Sequence, residues 1–176
     1  DASQLFRGAK NTKVEIQYIR QGKTQNATIV LDDVEIKAVP FFSLLKDNTG
    51  YIVLTKFTEK ASFETKAALL ELKKQGATKI ILDLRGNPGG LLHEAVNICN
   101  LFVPKNELIV TTKSKNPKHN LEYRTKNEPI DLEIPIAVIV DGKSASASEI
   151  VAGAIQDLDR GVILGTRSFG KGLVQR

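Results

Sequence analysis

Lys171 sits between two glycines in GTRSFGKG, residues 165–172, directly after the apolar run GVIL. A glycine, four residues, a second glycine and a lysine approach the spacing of a phosphate-binding loop. That loop also needs a serine or threonine after the lysine to put a hydroxyl on Mg²⁺, and Gly172 has no side chain. Three uses remain for Lys171: a phosphate ligand, a catalytic base, or a surface charge in a turn. A lysine acts as a base only when burial strips water from its ammonium and drives it toward the neutral amine. The sequence puts no carboxylate directly beside it to hold it charged.

The run SASAS supplies Ser144, Ser146 and Ser148 with only alanines between them, followed by Glu149. Ser146 and Glu149 have the spacing of a capping box, in which the serine opens a helix and the glutamate returns a hydrogen bond to it. A helix needs one cap, however, and the small neighbours leave room for a ligand at a helix start, where the dipole favours developing negative charge. A serine there can be a nucleophile, with the Ala147 N–H donating to an oxyanion. In DLRGNPGG, the glycines at 86, 89 and 90 with Pro88 suit any tight strand-to-helix turn. Gly89 and Gly90 also leave backbone N–H groups approachable, as an oxyanion site requires. Both readings stand for each segment taken alone.

A serine nucleophile needs a base. His119 lies in a charged loop and His93 at a polar helix position, so neither is a good candidate, and Lys171 is the alternative. Asp83, Asp141, Asp157 and Asp159 have no metal-ligand spacing, so no metal and no cofactor are expected.

These loops need elements to carry them. Before Pro40, the pattern is short and β-like. KVEIQYIR places Val14, Ile16 and Tyr18 on one face, a turn is expected over QGKTQN, and ATIVL and VEIKAV follow as strands. FFSLLKDNTG reads as a break. From Gly50 onward strands and helices alternate. GYIVLTKF is a strand. SFETKAALLELKKQG is a helix opened by Ser62, closed by Gly76 and apolar along Leu69, Leu70 and Leu72. TKIILDL is a buried strand, and LLHEAVNICNLFV is a helix ended by Pro104. ELIVTTKS and LEYRTK form a hairpin around KNPKHN. IPIAVIVDG, ASEIVAGAIQDLD and GVILG give a strand, a helix and a strand. Near-continuous apolar strands between helices predict an α/β layer with a buried sheet, and the three unusual segments all follow strands, where α/β sites are built.

Composition bounds the rest. With 176 residues and 41% hydrophobic content, the chain can bury one substantial core. A net charge of +5 permits nucleic-acid binding, but the lysines are dispersed and aromatics are 6%, so no nucleic-acid partner is expected. Cys99 is the single cysteine, placed on the buried face of a helix. No apolar run approaches bilayer-spanning length. The chain has no methionine and reads as a piece of a longer protein.

Taken in order, GYIVLTKF, IILDLRGNPGGLL, SASASEIVAGAIQD and GTRSFGKGLVQ resemble the C-terminal processing peptidases, or tail-specific proteases, a serine–lysine peptidase family with an inserted PDZ domain. The resemblance covers Gly50 to Arg176. It implies an α/β, crotonase/ClpP-like core over residues 40–176 and, over residues 1–39, an incomplete C-terminal remnant of a PDZ domain matched by LFRGAKNTKVEIQYIRQGK. By the same resemblance Ser146 is the nucleophile and Lys171, 25 residues on, its base. Gly90 and Ala147 give the oxyanion N–H groups. Gln175 orients Lys171, with Asp157 as the support used in other members. Lys143 departs from the glycine common before the serine run.

The implied function is endoproteolysis of unfolded or C-terminal tail segments by acyl transfer, with polypeptides ending in apolar residues as partners. Export to the bacterial periplasm or cell envelope, and membrane association through flanking segments, are also implied. The alternatives are a P-loop-like nucleotide-binding domain and an inactive peptide-binding module.

Overall fold

The structure is a computed structural model that describes residues 4, 6–33 and 36–174. The chain divides into two compact units, residues 1–36 and 37–176.

In the first unit, β1 (Lys13–Arg20) pairs antiparallel with β2 (Lys23–Val30). Arg20 faces Lys23, so the turn is only Gln21 and Gly22, with φ of 52° and 73°. Two successive positive φ values give a turn whose twist matches the strands. The turn expected over residues 21–26 is thus too long. Its polar residues are strand residues on exposed positions, where Tyr18 donates to Gln25 at 2.7 Å and Gln17 to Asn26 at 3.2 Å. Val14, Ile16 and Tyr18 are half-buried between exposed neighbours, as the alternation predicts. The strand expected over 34–39 includes residues 34 and 35, outside the described residues, and residues 36–39 are not strand.

The second unit is built on a five-stranded sheet in the order β3 (Phe41–Leu44), β4 (Thr49–Val53), β5 (Lys79–Asp83), β8 (Ile136–Val140), β9 (Val162–Gly165). Only β3 is antiparallel to its neighbour. It occupies the segment expected to be a break, because Phe41 to Leu44 can pair along the edge of β4. The connections are α1 (Ala61–Lys74) between β4 and β5, α2 (Leu92–Cys99) and the hairpin of β6 (Leu108–Thr112) and β7 (Leu121–Arg124) between β5 and β8, and α3 (Ala147–Asp157) between β8 and β9.

From β4 to β9 the parallel strands step across the sheet in one direction, and right-handed crossovers then put every helix on the same face. Burial follows: Ile80, Leu82, Val138 and Val140 are buried, while Ile81, Ala137 and Ile139 between them are only half-buried. Phe41, Val162 and Leu164 are exposed at 53%, 57% and 51%. Among the described residues the sheet is therefore covered on one face, where the apolar strands predict burial on both.

Helix α1 begins at Ala61, one residue before the expected Ser62 cap. The Ser62 N–H is held instead by the buried Glu94 carboxylate of α2 at 2.6 Å, which satisfies a helix N-terminal donor from another element. Leu69 and Leu72 are fully buried but Leu70 is 46% exposed, since the apolar face runs through Thr65, Ala68, Leu69 and Leu72. Gly76, at φ 97°, follows the end of the helix. Cys99 is buried on α2, and burial pushes its thiol up to about 12.

Candidate active site

Strand β8 delivers the chain to Asp141, and the next five residues make a sharp turn into α3. One Asp141 oxygen accepts from the N–H groups of Gly86 at 2.9 Å, Lys143 at 2.9 Å and Ser144 at 3.1 Å. These bonds, led by that from Gly86, hold its carboxyl below the ordinary value. The turn places Ser146 at φ 56°, ψ −113°, a conformation costly for any residue with a Cβ.

The three serines divide the work. Ser144 and Ser148 are fully buried, with Ser144 donating to the Leu84 carbonyl at 2.7 Å and Ser148 to the Asn87 carbonyl at 3.0 Å. Ser146, between them, is only half-buried. The outer serines staple the turn to the loop after β5, and the middle one forms the expected capping box with Glu149 at the start of α3.

That loop is organised by Asn87, which is fully buried. Its side chain donates to Leu54 and accepts from Gly89, both at 2.8 Å, and its carbonyl accepts from Ala145 at 3.0 Å. Gly89 and Gly90 have φ of 95° and 148°. A Cβ on Gly89 would stand 2.6 Å from the Ala145 carbonyl oxygen and 2.9 Å from both Ala147 N and Ser146 Cβ. A Cβ on Gly90 would meet the Phe57 carbonyl oxygen at 2.3 Å. Glycine is therefore what lets the loop lie against Ser146 and Ala147.

The backbone donors around this contact are nearly all taken. Gly89 N–H goes to Asn87, Leu91 N–H to Phe57, Ser146 N–H to Glu149 and Ser148 N–H to Ala145. The N–H groups of Gly90 and Ala147 have no hydrogen-bond acceptor among the described residues.

The third segment closes onto the same place. Phe169 N–H donates to the Ser144 carbonyl at 3.0 Å. One oxygen of Glu149 accepts from the Ser168 hydroxyl at 2.8 Å and Gly170 N–H at 2.6 Å, and the other from Ser146 N–H at 2.8 Å and Lys171 N–H at 2.9 Å. Burial alone would raise the Glu149 carboxyl, but these hydrogen bonds outweigh it and hold the carboxyl below its ordinary value. The three unusual segments thus converge, as their places after β5, β8 and β9 predict.

Gly89, directly before Gly90, packs on Ser146 and Ala147, and the Lys171 backbone shares the Glu149 carboxylate with Ser146. The Lys171 side chain is exposed, and no hydrogen bond joins its amine to the Ser146 hydroxyl. The burial expected of a lysine base is absent, because among the described residues only its backbone is engaged. Gln175 lies outside the described residues. Asp157 is exposed at the last residue of α3, about 16 Å along the axis from Ser146 at 1.5 Å per residue, and is not brought to the site. His93 and His119 are exposed and outside the cluster, and Lys143 is exposed with its N–H on Asp141. No helix begins at Lys171 through residue 174, so a phosphate loop would lack its helix N-terminus. No group of three or more metal-ligating side chains occurs among the described residues, and no helix there is long and apolar enough to cross a membrane.

Sequence reasoning missed what Glu149 does beyond capping. A carboxylate has about four acceptor positions, and a capping box uses only part of them. That spare capacity is the signal in the sequence, but its partners lie 19 to 22 residues on and are identified only by the pairing of β8 with β9. The Asp83–Arg85–Tyr51 group was missed too. Arg85 grips Asp83 through its Nε and Nη2, and the Tyr51 hydroxyl donates to the same carboxylate, fixing the end of β5 from which the glycine loop departs. Burial would raise the Asp83 carboxyl, and the bonds from Arg85 and Tyr51 override it and lower it.

This convergence of a strained serine turn, a glycine loop and a lysine loop on a mostly parallel sheet defines a family. Residues 48–176 match Peptidase family S41, and the chain belongs to that family. It is 38% identical over 180 residues to the carboxyl-terminal-processing protease of Synechocystis sp., covering 99% of this chain and 42% of the relative. It is 39% identical over 181 residues to the carboxy-terminal-processing protease of Bartonella bacilliformis, covering 99% and 41%. Among solved structures it is similar to a photosystem II D1 C-terminal processing protease, with a TM-score of 0.69, 31% identity, and coverage of 96% of this chain and 47% of that one. The fold also matches an S41 protease of Bacteroides fragilis at a TM-score of 0.66 and 18% identity. The chain spans between 34% and 42% of the length of these and other curated relatives.

Proposed function

We propose that the protein is a serine endopeptidase in which Ser146 is the nucleophile and Lys171 the general base. Ser146 Oγ attacks the carbonyl carbon of a peptide bond while its proton passes to the Lys171 amine. The resulting oxyanion lies against the N–H groups of Gly90 and Ala147. Collapse expels the amine, which takes the proton from Lys171, and leaves an acyl ester on Ser146. Water then attacks the ester, with Lys171 again taking the proton, and collapse breaks the ester bond, releasing the carboxylic-acid product as Lys171 returns the proton to Ser146 Oγ.

The observation that carries this reading is the pair of N–H groups without an acceptor among the described residues, on Gly90 and Ala147, in the loop and helix start that meet at the half-buried Ser146. The neighbouring N–H groups of Gly89, Leu91, Ser146 and Ser148 are hydrogen-bonded, which among the described residues leaves these two to donate to a developing negative charge. The strained φ of Ser146, held by buried neighbours on both sides, agrees with a site where geometry is kept at an energetic cost.

Several finer assignments belong to the same proposal. Gln175 orients the Lys171 amine, in preference to Asp157. The core is crotonase/ClpP-like, in keeping with parallel strands stepping one way with helices on one face. Residues 1–39 are the C-terminal part of a PDZ domain, and the substrates are polypeptides with unstructured, apolar C-terminal tails. The protein acts in the bacterial periplasm or cell envelope, which fractionation of the native organism tests.

The test of activity incubates full-length protein with an unstructured peptide ending in apolar residues. Internal cleavage is expected, with Ser146→Ala abolishing it. Wild-type turnover by Ser146→Ala rejects the assignment, and binding of the peptide with no cleavage supports an inactive binding module instead.

A further inference from the structure

We infer that Glu149 is a positioning residue that fixes the nucleophile and its base relative to each other through one carboxylate, an inference that rests on the proposed roles of Ser146 and Lys171. The same Glu149 oxygen accepts from Ser146 N–H at 2.8 Å and Lys171 N–H at 2.9 Å. The other oxygen accepts from the Ser168 hydroxyl and from Gly170 N–H, directly before the lysine. Four donors from two segments therefore meet on one side chain, which is half-buried in the first turn of α3.

A helix cap alone does not account for this arrangement. Capping requires only the bond to Ser146 N–H. The three bonds to residues 168–171 add nothing to the helix, and they are the side-chain links holding the Lys171 segment to the start of α3. Lys171 reaches Ser146 only through a flexible four-carbon stem, so its approach depends on where its backbone is held. Charge-assisted bonds to a carboxylate are the stronger kind and set direction as well as distance. Displacements of about 1 Å at such a site cost on the order of 10²-fold in rate. Glu149 touches neither substrate nor the reacting atoms in this scheme. It acts through the two residues that do.

Glu149→Gln tests the inference, because the amide keeps the side chain's shape and one accepting oxygen but cannot accept from all four donors. In the full-length protein, kcat and the rate of fluorophosphonate labelling at Ser146 should fall about 10²-fold, with KM within about 2-fold of wild type. On a Lys171→Ala background the same change should slow residual labelling by less than about 3-fold, since groups acting as one unit are not additive. In ¹⁵N-labelled protein the amide resonances of Ser146, Gly170 and Lys171 should all shift, whereas a helix cap alone would move Ser146 and leave the lysine segment in place. Wild-type kcat in Glu149→Gln, or a full 10²-fold loss on the Lys171→Ala background, overturns the inference. If Glu149→Gln does not fold, Ser168→Ala removes one donor and leaves the cap intact. A several-fold loss of kcat at constant KM then supports the inference, and an unchanged kcat overturns it. Failure here is distinct from failure of the peptidase reading, which is tested by the activity and labelling of Ser146→Ala and not by Glu149→Gln.

Discussion

Gly89 packs so closely on Ser146 that a single added carbon at residue 89 would stand 2.9 Å from the serine Cβ. The serine turn and the glycine loop, which follow different strands, are thus one packed unit. Any group bulkier than hydrogen at residue 89 must move the serine, the Ala147 N–H or the Ala145 carbonyl.

Gly89→Ala should therefore destabilise the chain by about 3 kcal/mol, combining a positive φ with overpacking. Gly86 is the control. Its φ is 71° but a Cβ there would meet nothing within 4 Å, so Gly86→Ala should cost only about 1 kcal/mol. Urea unfolding of the two variants measures the difference, and equal costs would show that the Gly89 contact relaxes freely.

The serines should separate stability from activity. Ser144→Ala leaves Asp141 N–H without its partner and removes one of two donors to the buried Leu84 carbonyl, which keeps the Asn87 N–H, and should cost about 1–3 kcal/mol. Ser146→Ala should cost about 0.5–1 kcal/mol, because it removes the serine half of the capping box that opens α3. Peptide cleavage should follow the opposite order, with Ser146→Ala inactive and folded Ser144→Ala retaining measurable turnover.

Acid should weaken the fold around the site. Asp83, Asp141 and Glu149 are all held below their ordinary values in the folded chain. For Asp83 and Glu149 hydrogen bonds override burial, and for Asp141 the leading cause is the bond from Gly86 N–H. Each group binds its proton more weakly folded than unfolded. Their stabilisation is therefore complete above the unfolded range, about pH 4 to 5, and is lost as pH falls through the lower folded values. The urea midpoint should stay level from pH 7 to about pH 5 and drop steeply below about pH 4. A midpoint that is flat or rising down to pH 3 would contradict these assignments.

Asn87→Asp should show the reverse dependence. An ionised carboxylate in that fully buried place cannot donate to the Leu54 carbonyl, so at neutral pH the change should cost about 3–5 kcal/mol. Burial would push the new carboxyl up, and the protonated acid can donate again. Relative to wild type, the variant should recover as pH falls from 7 to 5. A penalty that grows over that interval would exclude this role for the Asn87 amide.

Much of this was legible from local patterns. The four parallel strands, the three α-helices of the second unit and the β6–β7 hairpin follow from periodicity and turn residues, and the three loops could be placed at strand ends for the same reason. The SASAS run stood out because its serines are separated only by alanines, Ser146 within it through its spacing to Glu149 and the family resemblance, and Gly89 and Gly90 because two glycines precede a helix. What escaped is non-local. The antiparallel β3 depends on an available edge of β4, not on its own composition. Ser62 was displaced as a cap by Glu94, 32 residues away. The division of the serines into two buried staples and one half-buried cap depends on Leu84 and Asn87, about 60 residues earlier in the chain. The exposure of Lys171 is likewise a property of what surrounds it in space, which its glycine neighbours do not encode.

The most direct measurement of the central claim is the site of covalent labelling by a fluorophosphonate, located by mass spectrometry on the full-length protein. One adduct is expected, on Ser146, absent from Ser146→Ala and formed at least about 10²-fold more slowly in Lys171→Ala. An adduct on Ser144 or Ser148, or labelling of Ser146 at an undiminished rate without Lys171, would contradict the account.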